Sequence, residues 1–312
     1  MSRTTLTLKT QRRIIGRITE ILPDDLSEED ALFWIGHSAQ LSEGLRNVLI
    51  RSKINWLDQL VQAENNALGA FFNETFDLSQ FAATLKQFGE KRVMQWAKLG
   101  LKPHFLPRIV FTHGSKFPGW KIKPESWFWQ KVADGSIKRR NVAGELEIVK
   151  EVRFEGTTVL IDTRCKPAYD GGRQMFANDE GFLGGVIEAL RTEGKIAHTD
   201  AGPPSSRFNI SSSEWDEHIR PALEARPEFE GVTFRLEQTI EANVIPQLYM
   251  WIPRKKDGRT NTWVWFEEFF RGASSRLFGG SSGGGFLADA FYFNVDNHWG
   301  YRAVRPVGVL DA

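Results

Sequence analysis

Apolar residues recur at helical spacing through much of residues 10–100. Ile14, Ile15, Ile18, Ile21 and Leu22 fall on one face, and Pro23 stops the run. Ser27 to Asp30 has the form of a capping box, with Ala31, Leu32, Phe33 and Ile35 behind it. Leu41, Leu45, Val48 and Leu49 make a third stripe. Phe81, Leu85, Phe88, Val93, Trp96, Ala97 and Leu99 continue the period. The pattern predicts a helical region over 1–105.

The period then breaks. Pro103, Pro107, Pro118 and Pro124 interrupt any long element. Nine Lys/Arg stand against four Asp/Glu between Leu106 and Lys150, and Trp120, Trp127, Phe128 and Trp129 alternate with Lys116, Lys121, Lys123 and Lys131. Residues 106–150 read as a basic, aromatic connector with short strands.

From 151 to 312 the pattern is mixed. Thr157–Asp162 is a β-branched apolar run and predicts a buried strand. Phe182, Val186, Ile187 and Leu190 predict a helix ended by Gly194. Ser211 to Glu214 forms a capping box before the stripe Trp215, Ile219, Ala222 and Leu223. Val232–Leu236, Thr262–Phe266, Ala290–Phe293 and Tyr301–Leu310 read as strands. The fold class is therefore α+β: a helical region followed by a mixed α/β domain. No repeat of 20–50 residues is present.

Length and composition narrow this little. The 312 residues suit two domains, and 41% hydrophobic with 25% charged residues is ordinary for a folded chain. A net charge of +1 gives no global field to draw in nucleic acid or acidic membranes. No apolar run is long enough to cross a membrane, and the first residues lack a signal-length apolar core, so a cytoplasmic protein is expected. The single cysteine, Cys165, excludes an internal disulfide and a Cys-rich zinc site. The anomaly is aromatic: 11 Trp and 23 Phe against four Tyr.

Candidate chemistry is thin. Asp162, at the end of a strand with Arg164, Cys165 and Asp170 following, is a candidate catalytic carboxylate, although a capping or solvated acid is the simpler reading. Acid–base work needs a second group such as Glu180, Glu188 or His198, and no spacing singles one out. Cys165 with His198 or His218 would be a nucleophile only if the fold joined them; a buried thiol is the simpler reading. The six His show no metal-ligand spacing, so neither metal nor cofactor is expected. Residues 102–140 offer a nucleic-acid surface, with Lys138, Arg139 and Arg140 for phosphates and Trp120 or Trp127 for a base.

The C-terminal stretch carries more. Six of the 14 residues from Gly272 to Gly285 are glycine, and serine fills much of the rest. No regular element is expected there, only an ordered loop between two aromatic strands. Gly279–Gly285 lacks the Gly-Lys-Ser/Thr of a P-loop, and Phe286–Ala290 opens no convincing helix, so a phosphate cradle is disfavoured. Phe291 to Tyr301 mixes rings with Asn, Asp and His, a composition suited to binding other molecules.

Trp263-Val-Trp265, Leu277-Phe-Gly-Gly280, Gly284-Gly-Phe-Leu-Ala288 and Tyr301-Arg-Ala-Val-Arg-Pro-Val307 together resemble the C-terminal part of C-type-lectin-fold proteins diversified by retroelements. More distantly, they are similar to the formylglycine-generating-enzyme-like branch of that fold. The resemblance implies a rigid sheet displaying a variable surface to a macromolecular ligand, a protein. It implies displayed residues Phe269, Arg271, Ala273, Ser274, Ser282, Phe291, Phe293, Asn294, Asp296 and Tyr301. It implies framework residues Trp263, Trp265, Gly279, Gly280, Arg305 and Pro306. The sequence departs from calcium-dependent lectins, having no Glu-Pro-Asn loop, and from the cysteine chemistry of the enzyme branch. The expectation is a binding protein rather than an enzyme. The alternatives are a carboxylate enzyme at Asp162 or a nucleic-acid adaptor through 102–140.

Overall fold

A computed structural model describes residues 55–162, 168–170, 173–175, 181–199, 202–249, 263–280, 290–300 and 302–310. The chain divides into two compact units, Met1–Asn55 and Trp56–Ala312. The helices expected over 10–54 lie outside the described residues, as do Arg164, Cys165, Ser282, Gly284–Ala288 and Tyr301.

The second unit opens with two helices, α1 (Trp56–Phe72) and α2 (Ser79–Lys98). Of the expected stripe, Phe81, Leu85, Val93 and Trp96 enter the core, where they join Leu68, Phe71 and Phe72 of α1; Phe88 and Leu99 are partly buried and Ala97 is exposed. Gly89, at φ 78°, kinks α2 so that both halves keep an apolar face inward. Gly119 closes the next loop over α1, its N–H donating to the Phe71 carbonyl at 2.8 Å.

The first sheet has the order β1-β6-β14-β9, antiparallel throughout, from β1 (Leu101–Leu106), β6 (Thr157–Asp162), β9 (Val232–Leu236) and β14 (Pro306–Leu310). The run Thr157–Asp162 is buried at every position but the first. Pro103 is tolerated because, among the described strands, β1 has β6 alone as a neighbour, as an edge strand would. Gly308 of β14 lets three strands approach, since a Cβ there would lie 2.7 Å from Val232 and 3.2 Å from Leu160. β9 carries a packed helix, and α4 (Leu183–Thr192) packs on that helix, α5. The latter runs through Ser212–Glu214, a π-turn at Trp215–Ile219, and Arg220–Glu224. The expected capping box is present: Ser211 accepts from Glu214 N–H, and the Glu214 carboxylate accepts from Ser211 N–H. A further helix, α6 (Thr239–Tyr249), follows β9 directly.

The second sheet has the order β12-β11-β10-β3-β4, with a short parallel strand β13 (Arg302–Ala303) also on β10. Its strands are β3 (Ile137–Arg140), β4 (Leu146–Ile148), β10 (Trp263–Phe270), β11 (Ser275–Gly279) and β12 (Ala290–Asn294). Among the described residues two further two-stranded antiparallel sheets remain: β2 (Ile109–Phe111) with β5 (Val152–Phe154), and β7 (Ala168–Asp170) with β8 (Arg173–Met175).

One expectation changes here, and it concerns the glycine-rich stretch. Residues 106–150 pack on their neighbours, with β3 pairing β10, helix α3 (Ser126–Ala133) burying Phe128, and Trp120 4% exposed. The glycine-rich stretch is not wholly irregular, because Ser275–Gly279 is a strand. Arg276, Leu277 and Phe278 are buried there, and packing overrides the poor propensity of their neighbours. The mixed α+β class stands: helices lie with antiparallel sheets.

Candidate functional site

Among the described strands, β12 ends the second sheet. Its pairing with β11 sets Phe291 opposite Phe278, Tyr292 opposite Leu277, and Phe293 opposite Arg276. Side chains alternate across a strand, so Phe291 and Phe293 share one face and Tyr292 stands on the other. An interior strand hides both faces, but an end strand has fewer neighbours. Phe291, Tyr292 and Phe293 are each 46% exposed.

Each ring is nonetheless held from beneath. Tyr292 stacks on Phe270 at 3.9 Å and 20°, with Trp127 of α3 at 6.2 Å and 11°. Phe291 meets Trp263 at 5.7 Å and Phe278 at 6.1 Å. Trp299, 39% exposed, leans on Trp263 at 5.8 Å. Below these rings lies Arg302, 1% exposed. Its guanidinium is 4.1 Å from Trp265 and Phe278, 5.2 Å from Phe293 and 5.3 Å from Trp299. Burial lowers its pKa to about 10, so it stays a cation at neutral pH. Asn297 accepts from its Nη1 at 3.3 Å.

The turn after β12 is anchored to α5. The Val295 carbonyl accepts from the backbone N–H groups of Ser212 and Ser213 at 3.0 and 3.2 Å, which are donors a helix start leaves unpaired. Ser213 Oγ donates to Asp296 at 2.6 Å, and His298 Nε2 lies 2.9 Å from Glu214 Oε2. Within the turn, Asn294 Oδ1 accepts from Asp296 N–H at 2.8 Å. Across from it, the β10–β11 hairpin turns at Arg271, φ 62°, whose guanidinium lies 5.0 Å from the Phe270 ring.

Most of the residues expected for display therefore gather at one end of this sheet. Arg271, Ala273 and Ser274 are exposed at the hairpin tip. Phe291, Phe293, Asn294 and Asp296 are exposed beside it, and Val295 N–H bonds Ser274 O at 3.1 Å across the gap. Ser282 and Tyr301 lie outside the described residues. Phe269 is a correction: it is 1% exposed, clasped by the guanidinium groups of Arg276 at 4.7 Å and Arg140 at 5.0 Å. The register of β10 slips between Trp265 and Phe269, and β3 pairs directly at Phe269, so the strand is covered where an open face was expected. Trp265, Gly279 and Pro306 are buried, and Trp263, Gly280 and Arg305 are partly buried. Tyr292 and Trp299 join the exposed rings although the resemblance does not imply them, and Trp127, a base-stacking candidate from the sequence, lies against Tyr292 instead. Three consecutive aromatics cannot all face one side of a strand, and that signal pointed to Tyr292.

The alternatives fare differently. Asp162 is an ion-pair partner, 2.8 Å from Arg207, and both side chains are at most 5% exposed. Glu237, fully buried at the end of β9, faces Arg305 at 3.5 Å. Burial, more than any neighbour, raises its pKa to about 7. Beside it, Arg235 holds Glu241 through two bonds of 2.6 Å. Elsewhere Glu64 accepts from Tyr249 Oη at 2.5 Å and Phe105 N–H at 2.8 Å, with His104 Nδ1 at 3.0 Å. These groups join separate elements of the core. Among the described residues no three His, Cys, Asp or Glu are grouped to hold a metal ion. In the basic stretch, Trp120 is buried and donates to Asn243 at 2.6 Å, while Trp127 belongs to the Tyr292 stack. No described helix is long and apolar enough to cross a membrane.

No protein-family model, curated protein or solved structure matches this chain.

Proposed function

We propose that the chain is a ligand-binding protein rather than an enzyme. Its C-terminal part would be a C-type-lectin-like scaffold displaying a variable surface around β12 to a protein ligand, in the manner of a retroelement-diversified target protein. One observation supports this above the rest. Three consecutive rings on an end strand stand nearly half exposed, while the aromatic side chains behind them form the core. Exposed aromatics rimmed by Arg271, Asn294, Asp296 and His298 have the composition of a binding anchor with a polar border. The docking of the 295–298 turn on α5 supports a stiff display, which lowers the entropy lost on binding.

Tolerance is the test. A library randomised at Arg271, Ala273, Ser274, Phe291, Tyr292, Phe293, Asn294 and Asp296 should stay folded, with most members melting within a few degrees of the parent. A library at Trp265, Phe269, Leu277 and Arg302 should collapse. Equal intolerance at both sets would overturn the reading. Diversification is tested by sequencing codons 263–307 across sibling isolates. Substitutions should concentrate at adenines of the exposed codons, and an even spread would remove that part.

A further inference from the structure

The outer edge of β12 bears on the kind of ligand. Among the described residues β11 is its one strand partner, so the backbone row along its other side is not engaged by a described strand. Natural edges are blunted with proline, lysine, inward charges or bulges. Ala290–Asn294 has none of these: it holds no proline and no charge, and its pairing with β11 runs five residues without a register shift. The rings stand on both faces of that edge, Phe291 and Phe293 on one and Tyr292 on the other, each already seated on inner partners.

An edge of this kind prescribes its occupant. The Asn294 carbonyl at the end of this edge already accepts from Asn297 N–H at 3.1 Å; the outward N–H and C=O groups before it are satisfied best by another extended backbone, whose alternate side chains then meet the rings on the two faces. Five residues span about 17 Å. Pairing over that length buries well under the ~1,200 Å² that a stable globular interface needs, so a second folded copy of this chain fits it poorly. A peptide that brings its own flexible flanks fits it well.

Resting on the ligand-binding reading above, we propose that β12 captures an extended peptide segment of a partner protein by strand addition. Alternate apolar residues of that segment would pack against Phe291 and Phe293 on one face and Tyr292 on the other. Main-chain hydrogen bonds would supply affinity at any sequence. The rings, Arg271 and Asp296 would supply the preference.

The experiment uses the full chain and a phage library of twelve-residue linear peptides. Selected peptides should carry β-branched or aromatic residues at alternate positions. Each selected peptide is then resynthesised with single N-methyl groups along its backbone. Loss of affinity of tenfold or more at every second position, with little effect between, is the expected result, because only alternate N–H groups face β12. Binding should also fall at least tenfold in Tyr292→Ala and in Phe293→Lys, both checked by circular dichroism to be fully folded at the assay temperature. Hydrogen exchange of the 290–294 amides should slow when peptide is added.

Peptides that need Tyr292 and Phe293 but ignore N-methylation would overturn strand addition and leave the binding surface standing. Peptides indifferent to both substitutions would overturn the surface as well. A free protein whose 290–294 amides are all as protected as those of β11 would show the edge already covered by its own chain and overturn the proposal. Failure to select any peptide would do the same.

Discussion

Ser213 donates its hydroxyl proton to Asp296 at 2.6 Å, and the neighbouring Val295 carbonyl takes the first backbone donors of α5. The turn after β12 therefore serves as the helix cap, and the capping box at Ser211 and Glu214 holds the other side of the same junction.

Breaking this junction should loosen the display more than it weakens the fold. The double variant Ser213→Ala, Asp296→Ala removes one exposed hydrogen bond and should cost about 1 kcal/mol in thermal unfolding. Amide exchange over 294–299 should rise at least tenfold, with β10 and β14 unchanged. A uniform rise across the sheet would place the bond in global stability instead.

Phe269 and Tyr292 make a paired prediction. Phe269→Ala empties a fully buried site between two guanidinium groups and should cost about 3–5 kcal/mol. Tyr292→Ala removes a half-exposed ring and should cost about 1 kcal/mol. Chemical denaturation of both variants measures the difference, and similar losses would contradict the burial assigned to them.

That pair also shows what the sequence made legible. The strands at Thr157–Asp162, Val232–Leu236 and Ala290–Asn294 and the capping box at Ser211 could be read from alternation and spacing, which are local signals. The place of β12 at the end of its sheet could not, because strand order depends on which distant segments pair. Phe269 was misjudged for the same reason: Lys138, from a stretch that reads as a connector, pairs across from it. The Arg302 cluster was equally hidden. Four rings from Trp265 to Trp299 converge on one guanidinium only when β10, β11, β12 and β13 are assembled.

Arg302 should resist its nearest substitute. A guanidinium is planar and weakly hydrated, so it can lie against several rings, whereas an ammonium is compact and strongly hydrated. Arg302→Lys should lose about 2 kcal/mol of stability and raise the solvent exposure of Trp299, read as a red shift in tryptophan emission. Arg302→Met keeps the volume without the buried charge, and should be the milder change. The reverse order of melting temperatures would show that charge alone matters at this position.

Glu237 makes stability fall with rising pH. Its carboxyl has a pKa of about 7 in the fold against an ordinary 4.5, chiefly because burial opposes its charge, with Arg305 pulling the other way. The folded protein thus binds this proton more tightly than the unfolded chain does. The stability it lends is full below about 4.5 and drains away as pH rises to about 7. The loss is on the order of 3 kcal/mol. Glu268 is raised in the same direction, again mainly by burial, and adds to the trend. Glu237→Gln keeps the shape and cannot ionise. It should match the parent at pH 4.5, exceed it at pH 8, and flatten the slope between. Unfolding by urea at half-unit pH steps checks this. A parent and variant whose curves stay parallel from pH 4.5 to 8 would mean that Arg305 holds Glu237 ionised throughout.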